Sequence, residues 1–110
     1  MEKKKFYLLH SEICKTLANP KRQEIMDNLR DKEMTVNELV EKTGITQANL
    51  SQHLAILRSK GILLTRRDGI HVYYKLSNPK IMQAFDLISE ILKDSSDSQA
   101  KTINAAIHHK

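Results

Sequence analysis

Several residue types are scarce in this chain of 110 residues, which contains one cysteine, three glycines, two prolines and no tryptophan. A single thiol, Cys14, excludes an internal disulfide and any zinc site built from four cysteines. No segment approaches the roughly 18 consecutive apolar residues that a membrane-spanning helix needs, and the polar start of the chain does not resemble a secretory signal. We therefore expect a cytoplasmic protein that works in a reducing compartment.

Motifs typical of enzymes are missing as well. The three glycines stand far apart at predicted turns and form no phosphate-binding loop, and the serine, histidine and aspartate residues show no nucleophile motif. A composition of 40% hydrophobic and 28% charged residues suits one domain with a modest core. The net charge of +5 favours a polyanionic partner. We expect a binding protein without a cofactor, and no enzyme.

Apolar residues at helical spacing predict two helices in the first third of the chain. The first runs from about Lys5 to Leu17 and stops before Asn19. The second runs from Pro20 to about Arg30, with proline at the first helical position, where its missing N–H costs little.

A helix-turn-helix is predicted over about residues 35–60. Thr35 and Glu38 have capping-box spacing at the start of a third helix, and Gly44 tolerates the left-handed conformation that ends one. Thr46 then caps a fourth helix, so that two short helices are joined by a tight turn. The buried stripe of the fourth helix is predicted to consist of Leu50, Leu54 and Leu57.

Beyond the fourth helix the pattern changes to that of a β-hairpin, a wing over about residues 62–77. The segments ILLTRR and HVYYKL flank Asp68 and Gly69, a strong signal for a two-residue turn between two strands. One face of the second strand is assigned to the core: Val72, Tyr74 and Leu76.

Asn78 and Pro79 open a fifth helix that is more apolar than a one-sided surface helix requires. Its apolar positions are Ile81, Met82, Phe85, Leu87, Ile88, Ile91 and Leu92. A polar break follows, so residues 95–110 form a tail or a short extra helix. The predicted fold is mainly α: a winged helix-turn-helix domain over residues 1–94, with about five or six helices and a two-stranded wing.

Polar groups without fixed charge occupy the outward face of the fourth helix. Such groups read the edges of bases in the major groove of DNA, whereas lysine or glutamate would bind or repel phosphate without discriminating between sequences. The alternative is an ordinary polar helix that keeps the fold soluble. The DNA-binding residues predicted on this helix are Gln47, Ala48, Asn49, Ser51, Gln52 and His53.

Cations near this helix and on the wing predict contacts with the phosphate backbone or the minor groove. Each neutralised phosphate releases counterions, so binding is expected to weaken as salt rises. The alternative for the wing is a hairpin whose charges only solvate it. The candidates are Arg58, Lys60, Arg66, Arg67, His71 and Lys75, with Lys21 and Arg22 as further backbone contacts.

Together these motifs resemble the ArsR/SmtB family of prokaryotic winged-helix repressors, over roughly Ile13 to Leu76. The matching segments are CKTLANPKRQEIM as the opening helices, TVNELVEKTGITQANLSQHLAILRSKGIL as the helix-turn-helix and RRDGIHVYYKL as the wing. The resemblance implies a homodimer formed through the first and fifth helices. It also implies binding to a near-palindromic operator in double-stranded DNA, with release when a metal or another stress signal is sensed.

The metal sites of that family are not reproduced in this chain. Thr35 and Asn37 stand where the family's third-helix signature has two cysteines around a valine, and no histidine lies in residues 79–93. The remaining candidates for a metal or thiol effector are Cys14, His10, His108 and His109. The alternative is that Cys14 is a small core residue and that the terminal histidines have no role.

Two other functions stay open at the level of the sequence. One is a winged-helix module that docks proteins without specific DNA binding. The other is a regulator of the same fold that senses a small organic ligand between its outer helices.

Overall fold

The computed structural model describes residues 2–94, in which five helices and three strands follow one another. The helices are α1 (Lys3–Leu17), α2 (Pro20–Asn28), α3 (Val36–Thr43), α4 (Gln47–Ser59) and α5 (Lys80–Asp94). The strands are β1 (Met34–Thr35), β2 (Leu63–Asp68) and β3 (His71–Leu76). The mainly helical winged fold is confirmed, and the predicted tail or sixth helix at residues 95–110 lies outside the described residues.

Asn19 separates α1 from α2 by capping the second helix. Its Oδ1 accepts hydrogen bonds from the backbone N–H groups of Lys21 and Arg22, at 3.0 and 3.1 Å. Pro20 occupies the first helical position, where no N–H is needed. The helix boundary predicted at these residues is confirmed.

A capping box starts α3, as the sequence predicts. The Thr35 hydroxyl accepts from the backbone N–H of Glu38, and the Glu38 carboxylate accepts from the backbone N–H of Thr35. The Thr35 hydroxyl also donates to the Glu38 carboxylate, and the two hydrogen bonds that this carboxylate accepts from Thr35 lower the pKa of Glu38. Gly44, with φ of 72°, ends the helix in the left-handed conformation that glycine adopts without strain.

The hydrophobic core lies among α2, α3, α4 and the start of β2. Eight side chains are less than 2% exposed: Ile25, Met26, Leu29, Leu39, Leu50, Leu54, Leu57 and Leu63. They include the three predicted leucines of α4, and burying each leucine contributes about 1.5–3 kcal/mol. The burial of these leucines decides which face of α4 points outward.

Thr46 caps α4, since its Oγ1 accepts a hydrogen bond from the backbone N–H of Asn49 at 3.3 Å. Thr46→Ala is expected to lower the free energy of unfolding by about 1 kcal/mol, because that N–H loses its side-chain acceptor. Urea unfolding followed by circular dichroism measures the difference. Thr46→Ser keeps the hydroxyl and serves as the control. Equal stability of the alanine and serine variants would contradict the assigned cap.

The two predicted strands of the wing are confirmed as β2 and β3, and they belong to a three-stranded antiparallel sheet with the order β1-β3-β2, whose third strand was not predicted. The added strand, β1, pairs Met34 with Tyr74 and Thr35 with Tyr73. A strand of two residues has too little periodicity to be recognised in a sequence. Because β1 runs directly into α3, this pairing joins the wing to the start of the helix-turn-helix.

The hairpin turn lies one residue later than predicted. Asp68 pairs with His71, so Gly69 and Ile70 form the two-residue turn in place of Asp68 and Gly69. Gly69 has φ of 62°, as the first central residue of a type II′ turn requires. The shift brings Ile70 to the tip of the wing, where its side chain is 90% exposed.

Helix α1 leaves most of its apolar side chains uncovered. Phe6, Tyr7 and Leu8 are 51–62% exposed, whereas Thr16 near the end of the helix is buried. Large exposed apolar patches are typical of surfaces that bind another protein. This face of α1 is therefore a candidate interface.

The chain divides into two units between Pro79 and Lys80, and α5 is the described part of the second. Leu87, Ile88 and Ile91 of this helix are each 61–66% exposed. The excess of apolar residues predicted for the fifth helix thus appears as exposed apolar surface. None of the helices within residues 2–94 is long and apolar enough to cross a membrane.

Candidate nucleic-acid interface

The exposed side of α4 carries uncharged polar groups close to the start of the helix. With Leu50, Leu54 and Leu57 directed into the core, the exposed residues on the first turns form what we call the polar face: Gln47, Ala48, Asn49, Ser51 and Gln52. Four of these side chains offer amide or hydroxyl donors and acceptors, and Ala48 adds an exposed methyl group among them. The structure therefore brings five of the six predicted residues of this helix together on its surface.

The sixth residue, His53, is only half-exposed and is already bonded within the protein. Nε of Arg22 on α2 donates a hydrogen bond to Nδ1 of His53, at 3.2 Å. Burial lowers the pKa of His53, and the positive charges of Arg22 and Lys21 lower it further. Sequence patterns cannot reveal this contact, because the two residues are 31 positions apart.

The tip of the wing presents cations to solvent. Arg67 near the end of β2 and His71 at the start of β3 are exposed, and Lys75 is exposed further along β3. Among residues 2–94, no partner holds the guanidinium of Arg67. The predicted basic wing is thus present on the surface.

Arg66 is engaged within the protein, unlike Arg67. Its Nε lies 3.1 Å from both carboxylate oxygens of Glu33, and its Nη2 also donates to Oε1. The guanidinium stacks over the ring of Tyr73, 4.6 Å from the centroid. Hydrogen bonding by Arg66 lowers the pKa of Glu33, and the carboxylate raises the pKa of Arg66. Arg66 therefore anchors the wing to the segment just before β1, which the sequence did not suggest.

An open groove of about 440 Å³ separates part of α4 from the wing. It is lined by Ser51, Ala55, Arg58, Ser59 and Tyr74. Tyr74 was assigned to the core face of β3, yet it is half-buried and borders this groove beside two predicted DNA contacts. Tyr74 is a candidate that sequence reasoning missed, since only the sheet register places it next to α4. Lys60 is exposed just after the helix.

The sensing candidates on α1 form a close pair. Sγ of Cys14 lies 3.5 Å from Nδ1 of His10, and both residues are exposed, so the alternative that Cys14 is a core residue is wrong. His108 and His109 lie outside the described residues. Within residues 2–94, no three histidine, cysteine, aspartate or glutamate side chains come together in a way that could hold a metal ion.

Two helices joined at Gly44 and followed by a paired hairpin define the chain as a winged helix-turn-helix protein. Comparison with known proteins agrees. The family model of bacterial regulatory proteins, arsR family, matches residues 19–64. Nodulation protein NolR from Rhizobium meliloti is 40% identical over 82 residues, which cover 74% of this chain and 67% of NolR.

Two further proteins from mycobacteria are similar to this chain. The HTH-type transcriptional regulator KmtR from Mycobacterium tuberculosis is 42% identical over 66% of this chain, which spans 55% of KmtR. A solution NMR structure from Mycobacterium bovis has a TM-score of 0.73 and 27% identity, covering 86% of this chain and 88% of its own. The protein in that NMR structure is the homodimeric winged helix-turn-helix DNA-binding domain of a "possible ArsR-family transcriptional regulator".

The chain belongs to the arsR family of bacterial regulatory proteins. The resemblance seen in the sequence motifs is confirmed, and so is the winged helix-turn-helix fold. The family model describes bacterial regulatory proteins and KmtR is a transcriptional regulator, and this chain is a transcriptional regulator and not an enzyme.

Proposed function

We propose that this regulator binds a specific operator in duplex DNA as a homodimer and represses transcription by occupying it. The observation that carries the proposal is the polar face of α4, which is exposed and uncharged while the opposite face is fully buried. An α-helix fits the major groove of B-DNA, where base edges present distinct patterns of donors and acceptors. The polar face supplies the groups that such patterns select.

The spacing within the polar face suits base contacts from successive turns of one helix. Gln47 and Ser51 stand four positions apart, and Asn49 and Gln52 stand three apart, so each pair shares one side of α4. Asparagine and glutamine amides pair with adenine through two hydrogen bonds, and serine bonds to donors or acceptors. We expect a specific dissociation constant on the order of 10⁻⁸ to 10⁻¹¹ M at physiological salt.

The homodimer is supported by the exposed apolar faces of α1 and α5 and by the homodimeric state of the similar M. bovis domain. A two-fold symmetric dimer would place its two α4 helices in successive major grooves, about 10–10.5 base pairs apart. The operator would then be nearly palindromic, because it mirrors the symmetry of the protein. Such a repressor acts where the chromosome lies, so we place it in the cytoplasm.

Contacts with the backbone would come from the wing and from cations around α4. Arg67→Ala is expected to weaken binding to operator and to unrelated duplexes alike, by about fivefold, because a phosphate contact carries no sequence information. The slope of log affinity against log salt should become shallower by about 0.9 for each phosphate that the variant no longer neutralises. Fluorescence anisotropy over a salt series measures both quantities.

Arg67→Lys keeps the positive charge and is the control, for which we expect most of the affinity and slope to be retained. A loss confined to the operator in Arg67→Ala would contradict backbone contact and indicate that Arg67 reads bases.

The proposed function is tested by selecting duplexes from a random library with the purified protein. We expect an enriched, nearly palindromic duplex that binds at least about 1,000-fold tighter than a scrambled duplex of the same composition. Affinity for both should fall steeply between about 50 and 200 mM salt. A library without enrichment at low salt would contradict the proposal and favour a winged-helix module that docks proteins.

A further inference from the structure

Arg22 connects three helices through its side chain. It lies in the first turn of α2, where Nη1 donates to the backbone carbonyl of Thr16 on α1 at 3.1 Å. Nε of the same guanidinium donates to Nδ1 of His53 on α4 at 3.2 Å. A half-buried guanidinium that bonds to two other helices is held in place, in contrast to an exposed lysine on a flexible stem.

The bond to Arg22 determines which tautomer His53 adopts. A guanidinium has donors and no acceptor, so Nδ1 of His53 must offer its lone pair. A neutral imidazole that accepts at Nδ1 carries its hydrogen on Nε2. Burial and the charges of Arg22 and Lys21 lower the pKa of His53, which favours this neutral form near pH 7.

The Nε2 atom of His53 is available to a ligand. Within residues 2–94, His53 makes its hydrogen bond at Nδ1 and none at Nε2. Every buried side-chain nitrogen or oxygen in that range has a hydrogen-bond partner. Because Nε2 has no partner, it is not buried and reaches solvent. His53 follows Asn49 by four positions, so its ring lies on the side of α4 that carries the polar face.

We propose that Arg22 is a positioning residue, which holds His53 as a neutral imidazole whose Nε2–H donates to an acceptor on a base edge in the major groove. The inference rests on the proposed DNA binding and adds a residue from outside the helix-turn-helix to sequence readout. It differs from the sequence-level assignment of Arg22 to the phosphate backbone. The acceptor would be N7 or O6 of guanine, N7 of adenine or O4 of thymine.

The two roles of Arg22 predict different results for Arg22→Met, which keeps a side chain of similar length but has no N–H to donate to His53. If Arg22 positions His53, the variant should lose about tenfold in the ratio of affinities for the selected and scrambled duplexes, with an unchanged salt slope. If Arg22 contacts phosphate, both affinities should fall alike and the slope should become shallower by about 0.9 per phosphate. Lys21→Met is the matched control, because it removes the neighbouring positive charge from an exposed position with the same replacement.

A double-mutant cycle with His53→Ala tests whether Arg22 acts through the imidazole. In the His53→Ala background, Arg22→Met should produce no further loss of discrimination. Independent losses that multiply would overturn the proposal. So would an Arg22→Met variant that weakens all duplexes alike and flattens the salt slope.

Nitrogen-15 NMR of the ring of His53 gives a readout that does not depend on DNA. In the wild-type free protein we expect the Nε2–H tautomer of His53, and in Arg22→Met a mixture of tautomers with a higher pKa of His53. An Nδ1–H tautomer in the wild-type protein would overturn the proposal even if Arg22→Met failed to fold. A wild-type protein that prefers no duplex would instead contradict the proposed function, so the two failures are distinguishable.

Discussion

Ile88→Glu should convert the dimer into monomers and weaken operator binding about 1,000-fold, toward the level of non-specific binding. Ile88 is 61% exposed on the apolar face of α5 that we assign to the dimer. A carboxylate buried in such an interface costs several kcal/mol, and two-fold symmetry introduces it twice. A monomer also loses the contacts with the second half-site of the operator. In the dimer these contacts form in an intramolecular step, which raises the overall affinity. Sedimentation velocity and operator titration measure the two effects.

Gln83→Glu is the matched control for this variant. Gln83 is also exposed on α5, and the substitution adds the same charge outside the apolar positions. We expect a dimer that binds the operator close to the wild-type level. Tight operator binding by a monomeric Ile88→Glu variant would show that α5 does not assemble the DNA-binding unit.

The double variant Gln47→Ala/Ser51→Ala should lose about 100-fold in affinity for the selected operator and less than about threefold for a scrambled duplex. Each base contact contributes about 1–3 kcal/mol of discrimination, and the substitutions act in both half-sites of a dimer. Neither residue carries a charge or faces the core, so phosphate binding and folding should be nearly unchanged. Competition titrations with the two duplexes measure the ratio.

Gln83→Ala removes an exposed amide far from the polar face in sequence and serves as the control. It should leave both affinities unchanged. Equal losses on operator and scrambled duplex for the double variant would show that the polar face does not read bases.

Local signals in the sequence were sufficient to locate the helices. Asn19 with Pro20, the capping box of Thr35 and the left-handed Gly44 each act on neighbouring backbone groups, so their effect can be predicted from nearby residues alone. The burial of three leucines in α4 followed from helical periodicity in the same way.

Features that depend on distant residues were not predictable. The strand β1 exists because Met34 and Thr35 pair with β3, about 40 positions later in the chain. The contact between Arg66 and Glu33 spans 33 positions, and the contact between Arg22 and His53 spans 31. Composition alone assigns Arg66 and Arg22 to phosphate binding. These contacts instead hold both side chains within the protein.

The turn of the wing was mispredicted for a different reason. Asp-Gly and Gly-Ile are both compatible with a two-residue loop, because either places glycine where φ is positive. The pairing of Asp68 with His71 selects the second, and this register also sets Tyr74 beside the groove next to α4. Register depends on the partner strands and cannot be obtained from the turn residues alone.

Chemical interference mapping of purine N7 atoms on the selected operator tests the central claim most directly, because N7 lies in the major groove. We predict that modification at N7 blocks binding in two clusters separated by about 10–10.5 base pairs, one for each α4 of the dimer. The clusters should weaken in the Gln47→Ala/Ser51→Ala variant. Binding that tolerates modification at every N7 position would contradict the claim that the polar face of α4 reads base edges.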